Sequence, residues 1–273
     1  MKILLLVTGG RGGSDFFQGL LDEHDEISQF PGILRPTNNF KKIFDSRNPI
    51  KIANQFIKYA PYFFDSSQNS HERHNRLGKN KNQYYTVSKQ KFINNFKNLY
   101  SYKNLNNLEI LKMLHKAYYL ACGKKIKKIK ILFIHTHTIE MTIQFLKIVK
   151  LTNYSIIHTI RNPIEALYSP IKNWLKFKDG KTFFSKDLFF QIDLALNGIS
   201  DLLKINKKTY IVLLENLINK RSKVMRDFCK IFKIKFTNKL LNCTYFGLQR
   251  WGDKVSGRWI RKSNRKFKSK NLN

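Results

Sequence analysis

The chain has 273 residues, 42% of them hydrophobic, and this length and content predict one α/β domain with a sizeable core. Its net charge of +33 indicates acidic partners such as nucleotides, sulfates, nucleic acid or anionic glycans, although an AT-rich coding bias also gives such a composition. The three cysteines lack CxxC spacing, which argues against a disulfide framework or a zinc site, and the absence of a run of about 18 apolar residues argues against a transmembrane helix.

Four short apolar runs predict β-strands, at Lys2 to Thr8, Ile129 to Thr136, Tyr154 to Arg161 and Thr209 to Leu214. They are partly β-branched and do not alternate cleanly with polar residues, which is typical of parallel strands buried on both faces. Segments with helical spacing lie between or after them, at 14–24, 138–150, 163–177, 185–204 and 216–232. This alternation predicts a three-layer α/β/α fold with a central parallel sheet.

The region 31–123 differs from the rest, because it is rich in lysine, asparagine and aromatic residues and contains no clear buried strand. Helical patterns occur at 50–64, 86–100 and 107–121. We interpret the region as a mainly helical insertion after the first βα unit, placed to form an acceptor-binding wall. The predicted organisation is therefore a single domain over 1–260 that contains this insertion, followed by a basic tail over 261–273.

A glycine-rich loop, GGRGG at 9–13, joins the first strand to the helix that begins near Ser14. Small residues at such a junction let backbone N–H groups approach a phosphate. The loop matches neither the GxxxxGK[ST] pattern of metal-dependent NTPases nor the GxGxxG dinucleotide pattern. It predicts an anion site that includes Arg11, or a glycine-rich turn with Arg11 in solvent.

A second candidate site follows the third predicted strand. Arg161 lies at the end of that strand, and Ser169 follows eight residues later, on a helix predicted to begin at Pro163. Ligands of open α/β sheets bind at the carboxyl edge of the strands. Arg161 and Ser169 could therefore hold one phosphate from two directions.

With these two sites the chain resembles the sulfotransferases that use 3′-phosphoadenosine 5′-phosphosulfate (PAPS), a family with a P-loop-like fold. The 5′-phosphosulfate loop of that family is matched by Arg11-Gly12-Gly13-Ser14, and its 3′-phosphate signature by Arg161 and Ser169. The Glu-Asp-Leu that ends a later strand in the family reads Glu215-Asn216-Leu217 here. The resemblance runs over most of the catalytic core.

The resemblance implies transfer of a sulfuryl group from PAPS to a hydroxyl acceptor, with a carbohydrate or glycan as the expected acceptor. The other product is 3′-phosphoadenosine 5′-phosphate (PAP), and the scheme requires no metal. Arg11 and the loop would stabilise charge on the leaving 5′-phosphate. Arg161 and Ser169 would hold the 3′-phosphate.

Some positions depart from the family pattern or match it loosely. Arg11 stands where many members have lysine, and Asp15 stands where a threonine is common, so Asp15 could instead serve the helix N-terminus. Phe16 occupies the place of an aromatic residue that stacks on adenine, or is a core residue beside Phe17. The late sequence RWGDKVSGRW resembles a loop that folds over the 3′-phosphate, with candidates Arg250, Lys254 and Arg258.

The resemblance also suggests a general base at the end of the second predicted strand, where the sequence is LFIHTHTIE. His137 follows a threonine, as the base does in members that use histidine. Glu140 is an alternative base, and a metal pair formed by His135 and His137 is a rival interpretation without an evident third ligand. The other histidines are expected to have packing or surface roles.

Two other functional classes remain as alternatives at this stage. A basic nucleic-acid-binding protein would explain the charge, although no such motif is present and no specific nucleic-acid partner is expected. A catalytically inactive PAPS-binding member of the family would explain the motifs. The opening run ILLLV is too short for a signal peptide, and the composition best fits a cytoplasmic bacterial enzyme.

Overall fold

The computed structural model describes residues 1–8, 12–69, 74–100, 105–166 and 209–252. A five-stranded sheet lies at its centre, with strand order β2-β3-β1-β4-β5 and every pairing parallel. The carboxyl ends of all five strands therefore share one edge. The strands are β1 (Lys2–Thr8), β2 (Ile27–Ile33), β3 (Ile131–His137), β4 (Ser155–Ile160) and β5 (Thr209–Leu213).

The central position of β1 in the sheet explains why its sequence is continuously apolar. Leu5 lies opposite Ile134 on β3 and Ile156 on β4, so β1 has a neighbour on each side. Helices cover both faces, and every residue from Ile3 onward in this strand is buried. The four strands predicted from the sequence are confirmed, with ends that differ by at most two residues.

The edge strand β2 was missed, and the prediction of no strand at the start of the 31–123 region is wrong. Its sequence ISQFPGI contains Pro31 and Gly32, which are residues that disfavour a strand. An edge position tolerates proline, and the pairing of β2 with β3 is irregular between Gln29 and Ile33. The local pattern therefore carried no clear strand signal.

Most helices of the described residues agree with the predicted segments. A two-stranded hairpin, β6 (Thr244–Tyr245) and β7 (Leu248–Gln249), follows the last helix. The segment 163–166 is also helical, so the predicted helix does begin at Pro163. The helices are α1 (Ser14–Leu20), α2 (Asn38–Lys41), α3 (Pro49–Tyr59), α4 (Pro61–Phe64), α5 (Lys89–Leu99), α6 (Asn107–Ala121), α7 (Ile139–Val149), α8 (Leu214–Asn219) and α9 (Arg221–Phe232).

Polar residues in the sequence set the starts of several helices. Asn106 and Glu109 form a reciprocal capping box at the start of α6, with N···O distances of 3.0 Å in both directions. The Thr138 hydroxyl accepts from the backbone N–H of Met141 at the start of α7. Because such caps are local, these helix starts could be predicted from the sequence.

Two hydrophobic layers lie on opposite faces of the sheet. Ile3 and Leu5 face one layer, and Leu4 and Leu6 face the other, as alternation along a strand requires. The first layer contains the helices of the 31–123 region and α7, and the second contains α1, α8 and α9. The predicted three-layer α/β/α architecture is therefore confirmed.

The 31–123 region shares one core with the sheet. Phe30 of β2 stacks on Phe63 with ring centroids 5.3 Å apart, and the Tyr118 hydroxyl donates to the Phe63 carbonyl at 2.6 Å. These helices therefore form the layer that covers β1, β2 and β3, next to the sheet edge where the candidate site lies.

Three predictions about architecture fall outside the described residues. They are the helix over 185–204, most of the helix over 163–177, and the basic tail over 261–273. Over the described part of the chain, no helix is both long and apolar enough to cross a bilayer.

Buried neutral histidines make stability depend on pH. Burial lowers the pKa of His115 from 6.5 to about 3, and both of its ring nitrogens lack a hydrogen-bond partner among the described residues. Below pH 6.5 the unfolded chain therefore binds a proton at this histidine that the folded chain does not. The unfolding free energy of the protein consequently decreases as pH falls. We expect His115→Phe to reduce the pH slope of the unfolding free energy in this range by roughly 1.4 kcal/mol per pH unit, measured by urea unfolding.

Tyr119→Phe on the same helix is the matched control. Burial raises the pKa of Tyr119 above its usual value, so its hydroxyl stays protonated throughout the acid range. Its removal should leave the pH slope unchanged. An unchanged slope for His115→Phe as well would show that His115 is protonated in the folded chain.

Candidate active site

The glycine loop contacts two neighbouring strands at the carboxyl edge of the sheet. A Cβ atom on Gly12 would lie 2.3 Å from the backbone carbonyl oxygen of Thr159, on β4. Gly13 has φ +81° and directly precedes α1, and a Cβ atom there would lie 2.4 Å from Leu214 Cδ1. Only glycine fits both positions without a shift of the backbone, so the loop closes tightly against the ends of β4 and β5.

The other two predicted motifs meet beside this loop. The backbone N–H of Asn162, which follows Arg161, donates to the Glu215 side chain at 3.0 Å. Glu215 belongs to the Glu-Asn-Leu sequence in the first turn of α8. Segments that lie far apart in the chain therefore form one connected edge, as the sequence predicts from strand-end positions.

Arg161 is buried, and its guanidinium faces a carboxylate within the protein. Its Nη2 atom lies 2.9 Å from Oε2 of Glu165, one turn along the following helix. Glu165 is 56% exposed, so solvent screens this ion pair. An anionic ligand at Arg161 would compete with Glu165 for the guanidinium.

The surroundings of Asp15 explain why an acidic residue follows the glycine loop. Its carboxylate lies 3.8 Å from Nδ1 of His135 and 4.0 Å from Nη2 of Arg250. Burial disfavours its ionised form, but Arg250, His135 and His137 outweigh burial and hold the pKa of Asp15 below its usual value. Asp15 is therefore a carboxylate within a cluster of basic groups.

Phe16 lies in the core. It is 7% exposed, packs in the same layer as Phe17, and the Arg221 guanidinium lies 5.1 Å from its ring centroid. This environment favours the packing role of Phe16 over the stacking of adenine.

His135 and His137 stand at the end of β3, beside β1. The pairing of β3 with β1 is irregular here, because Leu6 pairs with His135 whereas Val7 pairs with His137. His137 has φ +77°, a left-handed conformation that is costly for a non-glycine residue and is often found at functional sites. The ring of His137 points to that of His135, with Nδ1 3.4 Å from Nε2.

A cavity of about 300 Å³ opens beside Asp15. The C-terminal end of β2 and the following loop form one side of it, and helices α3 and α4 contribute two tyrosines. Burial, together with Arg250, lowers the pKa of His74 in its wall to about 3, so His74 is neutral. Side chains that line the cavity include Asp15, Arg35, Tyr59, Tyr62, His74 and Tyr245.

The β6–β7 hairpin brings Tyr245 to this cavity, and Arg250 directly follows the hairpin. The buried Asp22 carboxylate accepts from the Thr244 hydroxyl at 3.0 Å and from the Gly247 backbone N–H at 2.9 Å. Arg250 follows the hairpin, is 1% exposed, and lies 4.9 Å from the Tyr245 ring centroid. Arg250 therefore lies behind the cavity lining, beside Asp15 and Tyr245, which both line the cavity.

Apart from Phe16, which lies in the core, and Arg250, which lies beside Asp15, the predicted donor-site residues and the predicted base divide into two groups. Gly12, Gly13, Ser14, Asp15, His137 and Arg161 are described and lie at the carboxyl edge of the sheet. Arg11, Ser169, Lys254 and Arg258 lie outside the described residues, so their site roles stay predictions.

Sequence reasoning missed Gln18 and His74. Gln18 is 1% exposed and hydrogen-bonds His135, and His74 lies in the cavity wall. A signal for Gln18 exists, since it is the polar residue on a helix face that otherwise carries Phe17, Leu20 and Leu21. His74 lies in a region without periodicity and carries no such signal.

Comparison with a solved structure identifies the fold. The sulfotransferase domain of the Synechococcus PCC 7002 olefin synthase matches with a TM-score of 0.51 at 13% identity, over 97% of this chain and 87% of that domain. The chain has a sulfotransferase fold. The sulfotransferase domain of the curacin biosynthetic pathway also matches, with a TM-score of 0.48 at 12% identity, over 94% of this chain and 80% of that domain. No family model and no curated protein sequence matches the chain.

The sulfotransferase fold agrees with the family resemblance that the motifs predict. At 13% identity the likeness establishes the fold, and the chemistry must be argued from this chain's own residues. Among those described, no group of three or more histidine, cysteine or acidic side chains could hold a metal ion.

The close fit of Gly12 against Thr159 gives a stability test of how the glycine loop packs on the sheet. We expect Gly12→Ala to lower the unfolding free energy by about 1–3 kcal/mol, because the new methyl group overlaps the Thr159 carbonyl. Urea unfolding measures this loss. We also expect weaker binding of adenosine 3′,5′-bisphosphate, measured by calorimetry.

Gly123→Ala is the control for Gly12→Ala. Gly123 has φ +74°, but a Cβ atom there would meet no other described residue within 4 Å, so alanine should cost only about 1–2 kcal/mol of backbone strain. It should leave nucleotide binding unchanged. Equal effects of the two variants on binding would mean that the Gly12 loop does not form the ligand site.

Proposed function

We propose that the protein is a PAPS-dependent sulfotransferase that sulfates a hydroxyl group, with carbohydrate as the acceptor class. The observation that carries the proposal is the meeting of three motifs at one sheet edge. Gly12 lies against Thr159, two residues before Arg161, and Asn162 is hydrogen-bonded to Glu215. The sulfotransferase fold supports the same function.

The chemistry divides between a donor side and an acceptor side. On the donor side, the closely packed glycine loop with Arg11 would stabilise the departing 5′-phosphate, and Arg161 with Ser169 would bind the 3′-phosphate. In the transfer, the bond between sulfur and the 5′-phosphate oxygen breaks while the acceptor oxygen bonds to sulfur. The products are the sulfate ester and PAP.

The acceptor side is proposed to be the cavity beside Asp15. Three tyrosines line it, and the hydroxyls of two of them donate to backbone carbonyls, Tyr59 to Arg35 at 2.9 Å and Tyr62 to Ile33 at 3.1 Å. Those bonds hold the rings in place as flat apolar surfaces, and such surfaces suit the faces of sugar rings. His137 ends β3, the strand that pairs with β2 at the cavity wall, and it would accept the proton of the acceptor hydroxyl.

Calorimetry with adenosine 3′,5′-bisphosphate and AMP tests the donor assignment. We expect micromolar-range affinity for the bisphosphate and at least tenfold weaker binding of AMP, which lacks the 3′-phosphate. Incubation with PAPS and a panel of sugars should then give products that are heavier by one sulfuryl group. Equal affinity for the two nucleotides would overturn the assignment of Arg161 and Ser169.

A further inference from the structure

A buried chain of hydrogen bonds runs from β2 through Gln18 and His135 to His137. Gln18 lies on α1 and His135 on β3, and each is 1% exposed. The carboxamide of Gln18 lies 2.8 Å from Nδ1 of His135, and Nε2 of His135 lies 3.4 Å from Nδ1 of His137. Each member of this chain restricts the protonation of the next one.

The backbone of β2 determines how the Gln18 carboxamide is oriented. Its Nε2 atom donates to the Phe30 carbonyl at 2.8 Å and faces the Gly32 carbonyl at 3.4 Å. Carbonyl oxygens only accept, so the amide nitrogen must face them and the amide oxygen must face His135. The Tyr245 hydroxyl approaches the same Oε1 atom at 3.5 Å, which agrees with an acceptor at that position.

This oxygen determines the tautomer of His135. Burial lowers the pKa of His135 to about 3, so the ring is neutral and has one N–H group. Because Gln18 Oε1 can only accept, the proton of His135 is on Nδ1. Its Nε2 atom then carries a lone pair and can only accept.

His137 is the donor to that lone pair. Its Nδ1 atom faces His135 Nε2, so Nδ1 of His137 carries a proton, and in the neutral ring Nε2 is unprotonated. The left-handed backbone at His137 and the irregular pairing of β3 hold the ring in this direction. A general base needs an unprotonated nitrogen that faces its substrate.

We propose that Gln18 and His135 are positioning residues that hold neutral His137 in the tautomer with a proton on Nδ1, so that Nε2 accepts the proton of the acceptor hydroxyl. The inference rests on the proposed function, in which His137 is the base. Without this restriction, His137 would also populate the tautomer with a proton on Nε2, which cannot accept another proton there.

Charged and titratable groups face this hydrogen-bond chain from several elements. Asp15 of α1 lies 3.8 Å from His135, and Arg250, which follows β7, lies 4.0 Å from Asp15. Arg35, which follows β2, and His74 line the cavity beside Asp15. Arg250 and Arg35 oppose protonation of His135, whereas Asp15 favours it. Nitrogen shifts of each ring must therefore be followed over a range of pH.

Nitrogen-15 NMR of the histidine rings tests the tautomers in the full chain without any substrate. At neutral pH we expect both His135 and His137 to show a protonated Nδ1 and an unprotonated Nε2. Gln18→Met removes the amide at nearly constant volume and should shift His137 toward the tautomer with a proton on Nε2. A wild-type His137 protonated on Nε2, or an unchanged tautomer in Gln18→Met, would overturn the proposal.

Kinetics give a second readout that a merely structural role would not move. Gln18→Met should lower kcat about 10-fold to 100-fold while KM for PAPS stays near that of the wild type, because donor binding does not involve this chain of bonds. A parallel rise of KM would contradict the positioning role.

His158→Phe is the matched control. His158 is a buried histidine of β4, and both of its ring nitrogens lack hydrogen-bond partners among the described residues. Its replacement should change neither the His137 tautomer nor kcat, and thermal unfolding checks that each variant is folded. The NMR result decides the tautomer proposal even in the absence of turnover, whereas failure of the wild type to sulfate any acceptor would overturn the proposed function.

Discussion

His137→Ala is expected to lower turnover by about 10²-fold or more while the affinity for adenosine 3′,5′-bisphosphate stays near that of the wild type. A hydroxyl group is a weak nucleophile until its proton is removed, and a positioned base contributes about 10²–10⁴-fold to the rate. His137 stands at the end of β3, next to β1 and its glycine loop. Single-turnover kinetics with PAPS and calorimetry with the bisphosphate separate the loss of rate from any loss of binding.

Glu140→Gln is the control for His137→Ala. Glu140 lies in the first turn of α7, is exposed, and is the alternative base suggested by the sequence. Glutamine preserves its size but cannot act as a base, and we expect turnover close to that of the wild type. Loss of turnover in Glu140→Gln together with activity in His137→Ala would identify the carboxylate as the base.

Arg161→Ala is expected to weaken binding of adenosine 3′,5′-bisphosphate by roughly 1.5–3 kcal/mol, which is about 10-fold to 150-fold. The reason is the loss of a buried guanidinium at the carboxyl edge of the sheet, beside the segment that Gly12 contacts. AMP lacks the 3′-phosphate, so its affinity should change little. Calorimetry with both nucleotides measures the difference.

Glu165→Gln separates the binding role of Arg161 from a structural one. Glu165 holds the Arg161 guanidinium at 2.9 Å and would compete with a phosphate for it. If Arg161 binds the ligand, Glu165→Gln should bind the bisphosphate at least as tightly as the wild type. If Arg161 serves only to pair with Glu165, both variants should lose stability, and Arg161→Ala should bind each of the two nucleotides as tightly as the wild type does.

Local patterns explain which parts of the fold could be predicted. The strands β1, β3, β4 and β5 are continuous apolar runs, and the start of α6 has a capping box, so each signal lies within a short segment. The edge strand β2 lacks such a signal because Pro31 and Gly32 interrupt it. Its strand state depends on pairing with β3, about a hundred residues away in the sequence.

The sequence by itself determined the α/β fold class, the sheet-edge position of the glycine loop, Arg161 and His137, and the resemblance to sulfotransferases. Periodicity, glycine conformation and strand ends are local properties, so a sequence can carry them. Only the tertiary structure decided that Asp15 faces basic groups, that Arg161 pairs with Glu165, and that Gln18 contacts His135 across 117 residues of sequence. Those contacts depend on how elements pack against each other, because the side chains that meet are set by the three-dimensional arrangement of layers and not by spacing along the chain.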